Sequence, residues 1–519
     1  MFITDVRHYT RPNTTNCWPR PAPQDAPLYA PAVGTGTIEV LHAKLLDKFG
    51  ADDRSTREIA AIMQWLNDPT LHEAADVDVG DSTAMPGDTE TLVANGLLRE
   101  PLSEDSPVTV RAQMRTEQKG LKFRRRTVFH THAANDGADT FTKSMMRVNP
   151  IQTLKRMARR NKYGATRDFT SFFHQMLLAL KVGERYIVRI NGKKYALTRA
   201  AMGHKASAAA AHSITRAVAR LACNGEAEYD VIIDDVAFFG NDDENLERVV
   251  ARFDAICEEA GLTIGAKTQP STQVSHRGID FDLANHTVRV RATTMTRTIE
   301  RVNVYQKNPT KARARSLLGA AVATAQVVPV PVCYFMKQVA RYMNGGPPAD
   351  FAPLADLIIN SADNIPTAYD DVPYAGAVVA DATPTSYGGV YVDQHGNVYH
   401  TAGTFAPGQF ASVNEAEAWA TILTLQLVPD RKHWSRIDVY TDNQVWCGAM
   451  GRQWAKAERI DLLRQHLTRQ LTQKRLVAGN TWVRSEDNPT DNISRQRDWS
   501  DEDTGKLRQL LGMYAVSVG

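Results

Sequence analysis

Apolar positions change their period along this chain, and the changes mark its elements. Ile59, Ile62 and Leu66 recur at helical spacing and predict a helix over Ser55–Asn67, with Ser55 as its cap. A shorter helix is expected at Thr91–Leu98, stopped near Gly96. The period then drops to two. Val108–Asn135 alternates around Lys119-Gly120 and predicts a hairpin. Ile151–Asn161 reads as a helix, Tyr163–Asp168 as a strand and the aromatic-rich Phe169–Leu180 as a helix. Tyr186–Ala196 predicts a hairpin around Asn191-Gly192, and Ala200–Ala222 a helix after a turn at Gly203. Two short apolar runs, Val231–Ile233 and Val236–Phe239, predict buried strands. A helix over Leu246–Ala260 follows, stopped by Gly261, then a hairpin of Gly278–Leu283 and Thr287–Val290 around Asn285. Residues 295–345 read as mainly helical, up to the break at Gly345-Gly346-Pro347-Pro348.

Beyond that break the pattern starts afresh. Ala377–Ala380, Gly389–Val392 and Val398–Thr401 predict three consecutive strands. Helix Asn414–Leu427, strand Ile437–Thr441, helices Gln444–Met450 and Asp461–Lys474, and strand Asn480–Val483 complete a second α/β domain. Residues 1–40, rich in Pro, Thr and Asn, lack periodicity and are expected to form an extended or partly disordered arm.

Chemistry enters where carboxylates interrupt apolar runs. Asp234 and Asp235 sit between two such runs, whereas Asp52-Asp53, Asp242-Asp243 and Asp370-Asp371 read as ordinary acidic turns. Charges are rarely buried unless paired or metal-bound. A hairpin tip carrying Asp234 and Asp235, with Asp168 at a strand end, supplies the oxygen donors of a two-metal site that suits Mg²⁺, with Mn²⁺ as an alternative. Lys122 and Arg126 are candidates to hold a triphosphate. The Phe173 ring, on the Asp168 segment, is either a gate against a 2′-hydroxyl or a core aromatic. In the second domain Asp381, Glu417, Asp442 and Asp491 fall at strand ends and on helices, as a second two-metal phosphodiesterase site requires. Glu415, Asp438 and Asp487 are the neighbouring alternatives, read as surface charge.

Composition narrows the classes. The formal net charge of +3 does not declare a polyanion partner, but its distribution does: Arg111–Arg126 and Lys155–Lys162 are basic and Glu226–Glu259 acidic. Five cysteines without CxxC spacing argue against a disulfide framework or a zinc finger and suit a reducing compartment. No signal-peptide pattern is seen, and the most apolar stretch, Leu317–Phe335, is broken by Pro329 and Pro331. An intracellular protein is expected, cytoplasmic or nuclear, with no membrane partner.

Residues 90–285 resemble the fingers and palm of a reverse transcriptase. The resemblance rests on seven segments in order: LVANGLLREPLSEDSPVTVRAQ, KFRRRTVFHTHAAND, RDFTSFFHQM, RAAMGHKASAAAAH, IIDDVAFFG, GLTIGAKTQ and HRGIDFDLANHTVRV. It implies catalytic, metal-holding roles for Asp168, Asp234 and Asp235. It implies nucleotide contacts for Lys122, Arg126, Phe169, Phe173, Met202, Gly203 and Lys267. Ile232 stands where the family usually has an aromatic residue, Met202 where many retroviral-type enzymes have Gln, and Ala208 where a Pro often follows the motif's Ser. The segments VVADATPTSYGGV, SVNEAEAWATI, VYTDNQVWCGAM and WVRSEDNPTDNISR resemble ribonuclease H, and carry its four metal-holding acids onto Asp381, Glu417, Asp442 and Asp491. Trp482–Thr490 lacks the mobile His that some ribonucleases H place before the last Asp. The run Lys311–Met343 looks like the thumb of DIRS- and VIPER-type, tyrosine-recombinase retroelements.

The implied fold is α/β (α+β) and multidomain: polymerase fingers, palm and thumb of a right hand, followed by a ribonuclease H-like α/β domain. The expected divisions are an N-terminal arm and fingers extension (1–89), fingers and palm (90–285), thumb (286–345), connection (346–373), ribonuclease H-like domain (374–497) and C-terminal tail (498–519). The implied partners are an RNA template, a DNA primer, the RNA–DNA hybrid and deoxynucleoside triphosphates. A domesticated, non-catalytic nucleic-acid-binding copy is the alternative, and an RNA-templated RNA polymerase a third reading. The sequence leaves oligomeric state open.

Overall fold

The computed structural model describes residues 26–30, 33–72, 78–119, 122–131, 145–325, 327–328, 332–360, 365–366, 372–452, 455, 457–512 and 517–518. Most of the expected N-terminal arm, the turn at Gly120, residues 132–136 of the basic finger segment, Asp370-Asp371 and the side chain of Lys122 lie outside them. The chain forms two compact units. The first comprises 1–148, 167–237 and 247–268, the second 149–166, 238–246 and 269–519.

In the first unit, helix α1 (Ile38–Phe49) buries Leu41 and Leu45. It was not expected, since its apolar stripe is short and adjoins the Pro-rich arm. Helix α2 (Arg54–Asn67) matches expectation, but its cap is Asp53, whose carboxylate accepts from the amides of Ser55 and Thr56. Ser55 is the second helical residue instead. The basic hairpin consists of β1 (Arg111–Lys119) and β2 (Lys122–His130), paired antiparallel. In chain order follow α3 (Ile151–Arg160, in the second unit) and β3 (Tyr163–Phe169).

Phe169–Leu180 is not a regular helix. Ser171 takes φ +47°, and only a single 3₁₀ turn, Phe172–Gln175, forms before the chain runs extended. Gln175 explains the departure: its side-chain amide donates to the Thr170 and Thr263 carbonyls, and its oxygen accepts from the Thr263 amide. These bonds tie the segment to a strand neighbour rather than to its own helix.

The Asn191-Gly192 turn forms as the dipeptide requires, with φ of +49° and +82°, between β4 (Ile187–Ile190) and β5 (Lys193–Leu197). Helix α4 (Lys205–Cys223) is capped by His204. Strands β6 (Glu228–Ile232) and β7 (Asp235–Gly240) are the apolar runs of the two-aspartate hairpin. Helix α5 (Asp243–Glu259) leads to β8 (Ile264–Lys267). The central sheet has the order β8-β3-β7-β6.

The second unit holds a meander of β9 (Gln273–His276), β10 (Ile279–Asp282) and β11 (Thr287–Val290). Four helices follow: α6 (Ala292–Lys307), α7 (Lys311–Thr324), α8 (Val332–Met343) and α9 (Ala352–Asn360). Helix α9 lies in the stretch expected as a connection. Phe351 anchors its start by stacking on Phe335 and meeting Tyr305 edge-on.

The last domain is a mixed sheet. Strands β12 (Tyr374–Ala382), β13 (Ser386–Asp393) and β14 (Asn397–Thr404) are antiparallel neighbours; β15 (Ser435–Thr441) and β16 (Leu476–Trp482) add in parallel on the other side of β12. A short strand β17 (Ser517–Val518) pairs in parallel with β14, so the order is β16-β15-β12-β13-β14-β17. Helices α10 (Val413–Leu425), α11 (Gln444–Arg452) and α12 (Glu458–Gln473) cover one face, where Val378, Ile422, Val439 and Trp446 share a core. The other face is covered by Ile493 of the short α13 (Asp491–Ser494) and Leu507 of α14 (Asp501–Leu511). Residues expected as a tail thus close the core of this sheet. Their start is fixed by a capping box between Ser500 and Asp503. The expectation of a mixed α/β, multidomain chain holds.

Candidate active sites

In the first unit, the Phe169 amide donates to the Asp234 carbonyl at 3.4 Å, so the end of β3 meets the turn between β6 and β7. Asp168 and Asp234 are half-buried and Asp235 is exposed. Burial raises the Asp234 pKa; the Asp168 charge adds to the rise and Arg126 opposes it. Ile233, just before Asp234, has φ +56°. For a β-branched residue this left-handed conformation costs of order 1–3 kcal/mol and must be held by its surroundings.

The expected nucleotide contacts divide. Arg126 is half-buried, with its guanidinium 5.3 Å from the Tyr29 ring centre. Phe173 is half-buried and Met202 partly exposed. Gly203 is where the chain touches β2: a Cβ there would lie 2.5 Å from the Phe129 carbonyl oxygen. Lys267 pairs with Asp254 at 2.9 Å, and Arg167 holds the same carboxylate. The Phe169 side chain faces away from solvent, so any nucleotide contact there falls to its backbone. Its ring is buried, stacked 4.3 Å from Phe172 and tilted against Phe253, and is core.

Two residues were missed. Burial, with Arg126 and Arg199 nearby, pushes the His174 pKa down to about 4. His174 Nδ1 and Arg199 Nη1 are buried without a hydrogen-bond partner. The Arg199 guanidinium, with an unused donor near the neutral His174 ring, suits an anionic ligand. The sequence signal was present in Arg199, at the head of RAAMGHKASAAAAH, but only folding sets it beside His174.

The second unit gathers its acids more tightly. One carboxylate oxygen each from Asp381, Glu417 and Asp442 lies within 4.8 Å of the others. No such trio forms from Asp168, Asp234 and Asp235 among the described residues. Asp381 is near the end of the central strand β12, Glu417 on α10, and Asp442 just past β15. Burial raises Asp381 to about 6, with Asp442 and Asp491 adding repulsion and a hydrogen bond from Ser494 opposing it. Glu417 is raised to about 7 by burial, then by Asp442 and Asp381.

The neighbours fix these groups. Ser494 Oγ donates to Asp381 Oδ2 at 2.5 Å, and Ser386 Oγ donates to the Ser494 carbonyl at 2.6 Å. Gly388, opposite Asp381 in the ladder, makes this possible: a Cβ there would fall 2.5 Å from the Ser494 amide nitrogen. Trp482 Nε1 donates to the Asp442 carbonyl at 2.9 Å. Asp491 stands outside the trio, bonded to Arg495 Nε at 2.9 Å. Of the alternatives, Glu415 accepts from Arg459 and from the Ala411 amide, so its role is structural.

The trio fits a divalent cation. Three carboxylates converge, two of them (Asp381 and Glu417) with raised pKa values, and Asp442 Oδ1 is buried with no hydrogen-bond partner. Hard oxygen donors of this kind suit Mg²⁺ or Mn²⁺.

No curated protein matches this chain. Among solved structures it is similar to foamy viral protease-reverse transcriptase. A form designated dRH, in complex with double-stranded DNA, shares 15% identity over 88% of this chain and 83% of that one, with a TM-score of 0.44. A complex with RNA/DNA hybrid shares 13% identity over 86% of this chain and 63% of that one, TM-score 0.40. Another with double-stranded DNA shares 14% over 88% and 99%, TM-score 0.44. Residues 373–490, which hold Asp381, Glu417 and Asp442, match the family model described as reverse transcriptase-like.

Proposed function

We propose that this chain is a retroelement reverse transcriptase with an attached ribonuclease H, of the DIRS/VIPER type. It copies an RNA template into DNA from a primer and degrades the RNA strand of the resulting hybrid. The observation that carries the reading is the Asp381–Glu417–Asp442 cluster on the segment similar to reverse transcriptase-like proteins.

In the ribonuclease H-like domain, Asp381, Glu417 and Asp442 would hold Mg²⁺, with Asp491 as the fourth carboxylate nearby, paired with Arg495. A bound cation there activates water and neutralises charge on the departing 3′-oxygen. Ser494 keeps Asp381 oriented by donating to the oxygen that faces it. Trp482 fixes the backbone at Asp442.

In the polymerase site, Asp168, Asp234 and Asp235 would be the metal-holding carboxylates. Arg126, with Arg199, neutralises the deoxynucleoside triphosphate, and the Phe173 ring lies against its sugar. Such phosphoryl transfer depends mostly on positioning and charge neutralisation. Hybrid is held through phosphates and groove shape rather than base sequence. The scattered cysteines fit an intracellular setting, and no described helix is long and apolar enough to cross a membrane.

The test is primer extension on a labelled RNA template with Mg²⁺ or Mn²⁺, following hybrid cleavage in the same tube. Asp234→Asn is expected to abolish synthesis and spare cleavage; Asp442→Asn does the reverse. Tight hybrid binding with neither activity in the wild type would favour the domesticated, non-catalytic reading instead.

A further inference from the structure

The first 67 residues lie outside the segments that resemble a polymerase, yet their helices reach its central turn. His212, Arg216 and Arg220 follow one another at intervals of four on α4 and so share one face. Arg220 Nη1 donates to both Asp53 oxygens at 2.8 Å and to Ser55 Oγ at 3.0 Å. Arg216 pairs with Glu58 Oε2, while Arg147 pairs with Glu58 Oε1 and Arg54 donates to that oxygen at 3.0 Å. Glu58 of α2, only 9% exposed, is therefore the hub of three guanidinium groups.

Arg147 carries the connection onward. Its side chain is held by Glu58, and its carbonyl accepts from His212 Nε2 at 3.0 Å. His212 is fully buried. With Nε2 donating, Nδ1 keeps its lone pair and accepts from the Ile233 amide at 3.3 Å. Burial, with the Arg216 charge beside it, lowers the imidazole pKa and keeps the ring in this neutral form. Ile233 is the residue in left-handed conformation that aims Asp234. The Asp234 carbonyl in turn meets the Phe169 amide, next to Asp168.

We infer that α2 braces the Ile233–Asp234 turn through Glu58 and Arg147, and that His212 is the positioning residue that holds the turn in its strained shape. The inference deepens the proposed polymerase function and rests on it for its kinetic consequence, but the brace itself has a readout that does not. A turn with no brace would relax at Ile233 and move the Asp234 carboxylate away from Asp168. Lost positioning lowers the rate of chemistry and not the affinity for the nucleotide.

The experiment uses the full chain and three variants. His212→Leu removes both hydrogen bonds. His212→Gln can restore both, since its amide donates and accepts. Glu58→Gln weakens the hub at the far end. Hydrogen exchange is followed by mass spectrometry in peptides covering 229–240, with 374–382 as an internal reference. Loss of one buried hydrogen bond predicts exchange about tenfold faster at 229–240 in His212→Leu, with the reference unchanged. His212→Gln is expected to behave as wild type and Glu58→Gln to show a smaller rise. In primer extension, His212→Leu should lose about tenfold in kcat with KM for deoxynucleoside triphosphate unchanged, and His212→Gln should recover it. Unaltered exchange at 229–240 in both His212→Leu and Glu58→Gln overturns the brace, as does failure of His212→Gln to rescue. If His212→Leu does not fold, the Glu58→Gln exchange result decides. A wild type that makes no DNA removes the polymerase reading, while the exchange data still decide the brace.

Discussion

Asp442→Asn should make the metal-free protein more stable while removing hybrid cleavage. Asp381 and Glu417 both carry folded pKa values, about 6 and about 7, above their ordinary 3.8 and 4.5. Stability from their protonated forms is therefore fully present below about pH 4 and is lost as pH rises through 6 and 7. The Asp381 shift corresponds to about 3 kcal/mol at roughly 1.4 kcal/mol per unit. Glu417 is half-exposed and shares the same repulsion, so its shift does not add in full. Burial is the larger cause for Asp381 and the Asp442 charge a smaller one. Removing that charge should then recover about 1 kcal/mol at pH 8. For a domain of this size that is about 2–4 °C in Tm. The assay is calorimetry in EDTA at pH 4 and pH 8, then at pH 8 with Mg²⁺, on the transition of the C-terminal domain. The variant should melt higher than wild type at pH 8 in EDTA, equal to it at pH 4, and lower than it once Mg²⁺ is added. A variant less stable than wild type at pH 8 in EDTA would refute the reasoning, because Asp442 would then be a structural acceptor rather than a repelling ligand.

Ser494→Ala removes the hydrogen bond that opposes the Asp381 rise, so the acid limb of the cleavage pH profile should move to higher pH. Activity at neutral pH should fall about tenfold, the value of a hydrogen bond to a charged group; an unmoved acid limb would exclude Ser494 from positioning Asp381. Gly388→Ala places a methyl group 2.5 Å from the Ser494 amide and 2.6 Å from Ile493 Cγ1. Thermal unfolding should show a loss of about 1–3 kcal/mol, with cleavage impaired beyond it. Phe173→Ala should admit ribonucleotides in primer extension; unchanged sugar discrimination would return Phe173 to the core.

Much of the local structure was legible because local signals cause it. Asn191-Gly192 names its turn through two positive φ angles. The runs on either side of Asp234-Asp235 are strands because they are apolar on both faces, and Val236–Phe239 are fully buried. Asp381, Asp442 and Glu417 could be placed because each adjoins a strand or helix whose pattern is clear. Local signals also misled. Ser55 and Asp53 are both competent caps, and the pattern alone does not choose between them. Phe169–Leu180 has helical composition, but Gln175 spends its amide on Thr170 and Thr263.

What the sequence determined by itself was therefore the set of elements and the acids they carry. The tertiary structure alone decided which polar groups meet. Ser494 lies 113 residues from Asp381, Arg216 lies 158 from Glu58, and His212 lies 65 from Arg147. Nothing in a window of sequence encodes such pairs, because the partners are selected by which faces become buried together, and a buried polar group must take the partner it finds there. Folding likewise separated Phe169, turned into the core, from Phe173, left half-buried next to His174, which lies near Arg126 and Arg199. It also drew three of the four predicted acids of the C-terminal domain into one cluster and left Asp491 on Arg495.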